Sequence, residues 1–404
     1  MLSRPHKDVK VKKFDDQRWI VNTPDGRNML VNERAAGLLA ILSSEEGDVA
    51  VLEKFKKQFD LNLSIDQLEA LIQTTFKGLS VLEKEEANFS GKPSYLSLKV
   101  SVLSARVAGL LASPLSYLFY PFIFWPVFLA GLMIGSVVFF SLLENGLPAI
   151  SHTDLYWLPF LVGASMLVHE LGHIAACRRF HVKHGAIGFG FYLIFPVVYA
   201  DITQVWNSTR QQRIIANAGG IYAELIYATV LLMFYAVLRE AIFSLAAVTV
   251  FVKAITELNP FFRYDGYWLL SDFTNTPNLM SRSNQALRKV ISDVRTQGNI
   301  FSAIITGSIR SNAWLLGYAL MNMILVTGYF AYVAIFFKSE IIHFPALLFF
   351  ILKKAFFIQL TLADFPPGFL WVLGLYILVV KTCFQFAVQK LKSKTFVFNR
   401  VKKS

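Results

Sequence analysis

Beyond residue 100 the chain is built from apolar stretches too long for a soluble core. They lie at about 118–143, 155–178, 214–238, 241–271, 312–337 and 366–389. Each holds the roughly 20 residues that a helix needs to cross ~30 Å of hydrocarbon. Within lipid every backbone N–H and C=O must be paired inside the segment, so such stretches fold as helices. The sequence therefore predicts a polytopic α-helical membrane protein of about six spans. Residues 341–363 are long enough to make a seventh, but Lys353 and Lys354 sit near the middle. Each would cost roughly 2.5–3.5 kcal/mol at the bilayer centre. A seventh crossing would also carry the basic tail outside, so this segment is expected to lie in or re-enter the outer interface. Residues 101–115 read as an interfacial helix around Arg106.

The first hundred residues differ in kind, with fifteen Lys/Arg balanced by fifteen Asp/Glu. Residues 18–32 alternate apolar and polar around Pro24-Asp25-Gly26, the signal of a β-hairpin. Helical spacing follows over Glu33–Leu42, over 49–59, and from Ser64, with Asp66 and Gln67 in its first turn, to Phe76. Together these predict a small soluble α+β domain of winged-helix type over 1–82. A charged linker over 83–100 joins it to a membrane domain over 101–390, and a basic tail over 391–404 ends the chain. The start, MLSRPHKDVKVKK, has a basic region with no apolar core after it, so no signal peptide is expected.

The net charge of +12 falls wholly on the membrane part, where 24 Lys/Arg face 12 Asp/Glu. These charges sit at span ends, in Arg178-Arg179, Arg282 to Arg310 and Lys390 to Lys403, and not on one soluble face. That distribution argues against nucleic acid as a partner and for the bilayer. By the positive-inside rule it places both termini in the cytoplasm. Cys177 and Cys383 are the only cysteines, too few for a disulfide framework.

One span carries chemistry. His169-Glu170-Leu171-Gly172-His173 puts two imidazoles four residues apart, on one helix face, where both can hold one Zn²⁺. Glu170 beside them is placed to take a proton from water. Such a pattern arises by chance in on the order of one chain in a hundred of this His content. The plainer reading, a pair of core histidines with a buried acid, is weak within a span, where such groups are expensive. A catalytic zinc has three protein ligands, and Asp201, Glu224, Glu257 and Asp265 are the candidates for the third. Asp265 follows Asn259-Pro260, where the helix must break, and precedes Gly266, which permits a sharp turn. Glu257 stands four residues after Lys253 and reads as its ion-pair partner. Glu224 follows the small residues Gly219-Gly220 and reads as a hydrogen bond to a neighbouring span, so its loss is expected to spare the metal. Asp201 ends an aromatic stretch and reads equally as lining a substrate path or as solvated. His181 and His184, in a basic loop, are expected to meet water or lipid headgroups.

HELGH in one span and Asn259-Pro260 to Asp265-Gly266 two spans later resemble the site-2 protease family of intramembrane zinc metalloproteases. The resemblance implies Asp265 as third zinc ligand and Asn259 as a holder of the substrate backbone. Tyr264 and Tyr267 depart from the family's common form. With Arg263-Tyr264-Asp265-Gly266-Tyr267-Trp268 and the 188–206 stretch, they are similar to its bacterial peptide zinc metalloprotease branch. That branch implies an inner-membrane location. The head resembles a PqqD-like peptide-recognition domain through the Pro-Asp-Gly hairpin, Val31-Asn32-Glu33 and the 59–82 tail, which implies capture of a precursor peptide. A generic winged helix serving as a cap is the plainer alternative.

The expected activity is hydrolysis of a peptide or membrane-protein substrate in or near the membrane, with residues 185–200 offering a strand edge to hold it extended. His173 stands five residues, ~8 Å of helix, before Arg178, which puts the site in the cytoplasmic third of the bilayer. Two other classes remain open from the residues alone. One is a non-proteolytic peptide-binding export or immunity protein. The other is a di-iron membrane oxygenase, for which seven His are few.

Overall fold

The computed structural model describes residues 2–24, 28–45, 47–77, 79, 81–83, 96–146, 151–192, 195–297 and 312–356. Towards the C-terminus it also describes 364–366, 369, 372–377 and 379–380. The head opens with strands β1 (Lys10–Lys13), β2 (Arg18–Asn22) and β3 (Asn28–Asn32), an antiparallel sheet in that order. The expected hairpin is present as β2 and β3, with Trp19 opposite Val31; its turn at 25–27 lies outside the described residues. β1 escapes a pattern reading because Lys10-Val11-Lys12-Lys13 carries one apolar residue. Its presence makes β2 the central strand, so only β3 of the hairpin is an outer strand.

Helices α1 (Glu33–Ser44), α2 (Asp48–Phe59) and α3 (Ile65–Phe76) complete the head. α1 starts where β3 ends because the Asn32 side chain accepts from the Ala35 N–H. At α3, Ser64 Oγ accepts from the Gln67 N–H while Gln67 Oε1 accepts from the Ser64 N–H, a reciprocal cap. Val21, Leu38, Leu39, Val51, Phe55, Leu68, Ile72 and Phe76 form the core between helices and sheet. Asp15, before β2, is drawn two ways. Burial pushes its carboxyl up, but hydrogen bonds from Arg18 and the Gln17 and Arg18 N–H groups, with the Arg18 charge, outweigh this and hold it below 3.8.

After the head come β4 (Leu96–Leu103), α4 (Ala105–Ala112), a 3₁₀ turn over Pro114–Phe119, α5 (Pro121–Asn145) and α6 (His152–Arg179). β4 occupies ground expected to be linker and the start of an interfacial helix. β5 (Ile187–Tyr192) and β6 (Phe195–Ala200) follow, then α7 (Arg210–Asn217), α8 (Gly219–Leu238), α9 (Ala241–Glu257) and α10 (Asp265–Phe273). α11 (Leu279–Gln297), α12 (Ala313–Phe336) and α13 (Lys338–Phe356) end the continuous description.

Among the described residues four helices, α5, α6 from Tyr156, α8 and α12, are long and apolar enough to cross a membrane. The stretch 241–271, expected as one span, is instead two helices. α9 has 17 residues, roughly 26 Å of helix, and stops three residues before Pro260. The proline cannot donate to the helix ladder and disfavours helical geometry just before it. α13 covers most of 341–363 and has Lys353 and Lys354 in its last turn, Lys354 paired with Asp364. The stretch 366–389 lies largely outside the described residues.

The chain forms two units, one of residues 1–94, 103–187 and 200–248, the other of 95–102, 188–199 and 249–404. In the first, α8 packs on both α5 and α6. A side chain at Gly131 of α5 would strike Leu225, and one at Gly172 of α6 would lie 2.2 Å from the Gly219 carbonyl oxygen. Bare glycine lets the backbones approach, the packing device of membrane helices. The Tyr222 hydroxyl donates to the Leu118 carbonyl in the 3₁₀ turn before α5, and the Tyr227 hydroxyl to the Leu161 carbonyl of α6, tying α8 to both segments. The head belongs to this unit. Phe14 stacks on Trp206 and lies under the Arg213 guanidinium at 4.3 Å, while Lys12 donates to the Asn207 carbonyl.

In the second unit, β4, β5 and β6 form a sheet with β5 in the middle. Of the stretch expected to offer an edge, β6 is therefore the outer strand.

Candidate active site

The HELGH pattern lies deep in α6, and the seam with α8 orients it. His169, Glu170 and His173 are 6%, 8% and 5% exposed. His173 Nδ1 stands 2.8 Å from the Ala216 carbonyl oxygen at the end of α7. A carbonyl only accepts, so Nδ1 carries the proton and Nε2 keeps its lone pair. That lone pair faces His169 Nε2 at 3.1 Å. Two nitrogens bound at 2.0–2.1 Å to one tetrahedral zinc stand roughly 3.3 Å apart, so the pair fits such an ion. The carbonyl behind His173 is also the usual outer partner of a metal-binding imidazole, fixing tautomer and ring angle.

Why these side chains meet follows from the seam. His173 faces Ala216, Gly172 faces Gly219 and His169 faces Gly220, so α6 and the α7–α8 segment run antiparallel here. A side chain at Gly220 would lie 2.3 Å from His169 Nε2 and close the space in front of it. The glycine of HELGH thus serves the helix crossing, and the glycines of 219–220 serve the histidines. Glu224, one turn beyond Gly220, is wholly buried, with Oε2 3.6 Å from His169 Nδ1. It does face a neighbouring span, as its setting suggested, and the group it meets there is a candidate ligand.

Asn259 and Asp265 belong to the second unit. There the chain leaves α9, and Asn259 Oδ1 accepts from the Phe261 N–H at 2.9 Å, while the Tyr318 hydroxyl donates to the Pro260 carbonyl. Asp265 opens α10 from an extended Tyr264, so its carboxylate is off the track of α9. Gly266 is required for a different reason from the turn expected of it. A side chain there would lie 2.1 Å from the Leu258 carbonyl oxygen, so the loop closes on itself through a bare Cα. Glu257 pairs with Lys253 at 2.8 Å, the expected i,i+4 bridge.

The remaining candidates do structural work. Asp201 is exposed, and its carboxylate accepts from the Thr203 N–H and hydroxyl, closing a turn before α7. His181 is exposed with a left-handed backbone, and His184 stands beside the Gly185 carbonyl. Cys177 is buried in α6 with a free thiol.

A buried HExxH pair on a long apolar helix, with its imidazoles converging, has the make-up of a membrane-embedded metallopeptidase. The chain belongs to peptidase family M50, the site-2 protease family, whose model matches residues 157–365. The matched range holds His169, Glu170, His173, Asn259 and Asp265. No curated protein and no solved structure matches the chain.

Proposed function

We propose that this protein is an intramembrane zinc endopeptidase that matures a ribosomally made peptide captured by its head. The observation that carries the zinc reading is the facing pair of Nε2 atoms with one tautomer already fixed. His169, His173 and Asp265 would hold the ion, with Asp265 assigned by its motif and by the helix break that frees it from α9. When bound, zinc supplies Lewis-acid stabilisation of charge developing on oxygen during peptide hydrolysis. Glu170 takes the proton from the attacking water and returns it to the leaving amine. The Ala216 carbonyl keeps His173 in one tautomer throughout. Burial of α6 keeps bulk water from competing, which strengthens each charge contact. Asn259 is assigned to the substrate backbone, and the outer strand β6 offers main-chain groups to hold a substrate extended.

The resemblance to the bacterial branch supports an inner-membrane location, and the charge asymmetry supports both termini in the cytoplasm. Single cysteines placed in 391–404 should stay unlabelled by an impermeant thiol reagent applied to intact spheroplasts. Labelling there would overturn this orientation.

The head's role rests on its sheet and three helices. A leader peptide adding beside β3 would gain affinity from main-chain bonds and selectivity from side-chain pockets. Held on the same chain, it would meet the site at an effective concentration in roughly the millimolar range. Deleting 1–82 should therefore raise KM for the native precursor far more than it lowers kcat. Unchanged KM in the truncated enzyme would leave the head a structural cap.

A further inference from the structure

We infer that Glu224 is a positioning residue for His169, its carboxylate accepting from the ring's Nδ1–H and so aiming the Nε2 lone pair at the metal. The inference rests on the metal-site reading above and reverses the expectation, drawn from the sequence, that loss of Glu224 spares the metal. Glu224 sits on α8, wholly buried, with Oε2 3.6 Å from Nδ1 of a side chain that is itself 8% exposed. A carboxylate taken fully out of water needs a strong donor or a positive charge beside it. At 3.6 Å the two atoms stand just beyond hydrogen-bond range; the formed bond to a carboxylate would bring them to roughly 2.7–2.9 Å. Helix geometry sets the pairing. Gly220 and Glu224 are one turn apart on the same face of α8. The first leaves space in front of Nε2 and the second meets the opposite nitrogen.

His173 already shows the same design in finished form. Its Nδ1 donates to a backbone carbonyl, and its Nε2 faces inward. With Nδ1–H on both rings, two lone pairs meet across 3.1 Å, an arrangement that a cation between them satisfies. A carboxylate behind His169 does more than a carbonyl behind His173. It makes the ring a stronger donor to the metal as well as fixing its angle. The chain thus holds its two imidazoles from behind by unlike groups, both supplied by the α7–α8 segment.

The test uses full-length protein in detergent micelles, with zinc affinity read by competition against a chromophoric chelator. Glu224→Leu keeps the volume and removes the acceptor; Glu224→Gln keeps an acceptor for Nδ1–H. The leucine variant should bind zinc roughly 10–100-fold more weakly, and the glutamine variant should stay within about tenfold of wild type. Cobalt-substituted protein should repeat the order, with the visible ligand-field bands displaced in the leucine variant only. Glu224→Met provides a second apolar variant of equal reach if leucine prevents folding. Wild-type affinity in a folded apolar variant would reduce Glu224 to packing and overturn the inference. Equal loss in the apolar and glutamine variants would make Glu224 a ligand, which overturns it too. Absence of zinc binding by wild type itself would instead bring down the metal-site reading, so the two failures are told apart.

Discussion

Glu170→Gln is expected to retain its metal and to lose peptidase activity by roughly 10²–10⁴-fold. The substitution is nearly isosteric, so the packing of α6 against α8 should survive. What it removes, on the proposed mechanism, is the ability to accept a proton from water and return it to the leaving amine. Glu170 is adjacent to His169 in sequence and 8% exposed, so no bulk-water base can stand in for it. Turnover of a precursor peptide by the detergent-purified enzyme, with zinc content assayed on the same sample, separates the two effects. Cleavage near the wild-type rate by the zinc-loaded variant would show that Glu170 is not the base. Loss of zinc along with activity would instead assign it a structural part in the metal site.

Asp265→Ala is expected to weaken zinc binding by more than the roughly 10–100-fold typical of losing an outer partner, because the proposed site makes it one of three protein ligands. Glu257→Ala is the control. Its carboxylate is engaged by Lys253 at 2.8 Å, so its loss should leave zinc content unchanged. The contrast is sharp because the two acids lie eight residues apart, on either side of the α9 break. Zinc measured after dialysis against a weak chelator decides between them. Full occupancy in Asp265→Ala would move the third ligand elsewhere.

The convergence of the two α6 imidazoles was legible in the sequence because an i,i+4 histidine pair needs only a helix to share one face. Much of the head was legible for the same reason: the alternation over 18–32 and the helix start at Ser64 mark local geometry, and local geometry is what residue patterns encode. The partners of the histidines were not. Ala216 contributes a carbonyl, which any residue has, and its role exists only because Gly172 and Gly219 set how α6 and α8 cross. Glu224 was visible as a costly acid in a span, but which group it faces depends on that same crossing. β1 was hidden by its lysines, since an outer strand exposed on most of its surface has no apolar alternation to show. Gly266 was picked out by its place in a motif, yet its reason, contact with Leu258, is a fact of loop closure that no local pattern carries.

Membership of peptidase family M50 supports a metallopeptidase over the oxygenase and the export or immunity protein that the residues alone left open. How the metal is held is the central claim, and elemental analysis of purified, detergent-solubilised wild-type protein tests it most directly. The account predicts about one zinc per chain, falling to near zero in His169→Ala and His173→Ala. Two irons per chain, or zinc that stays in place when either histidine is removed, would contradict it.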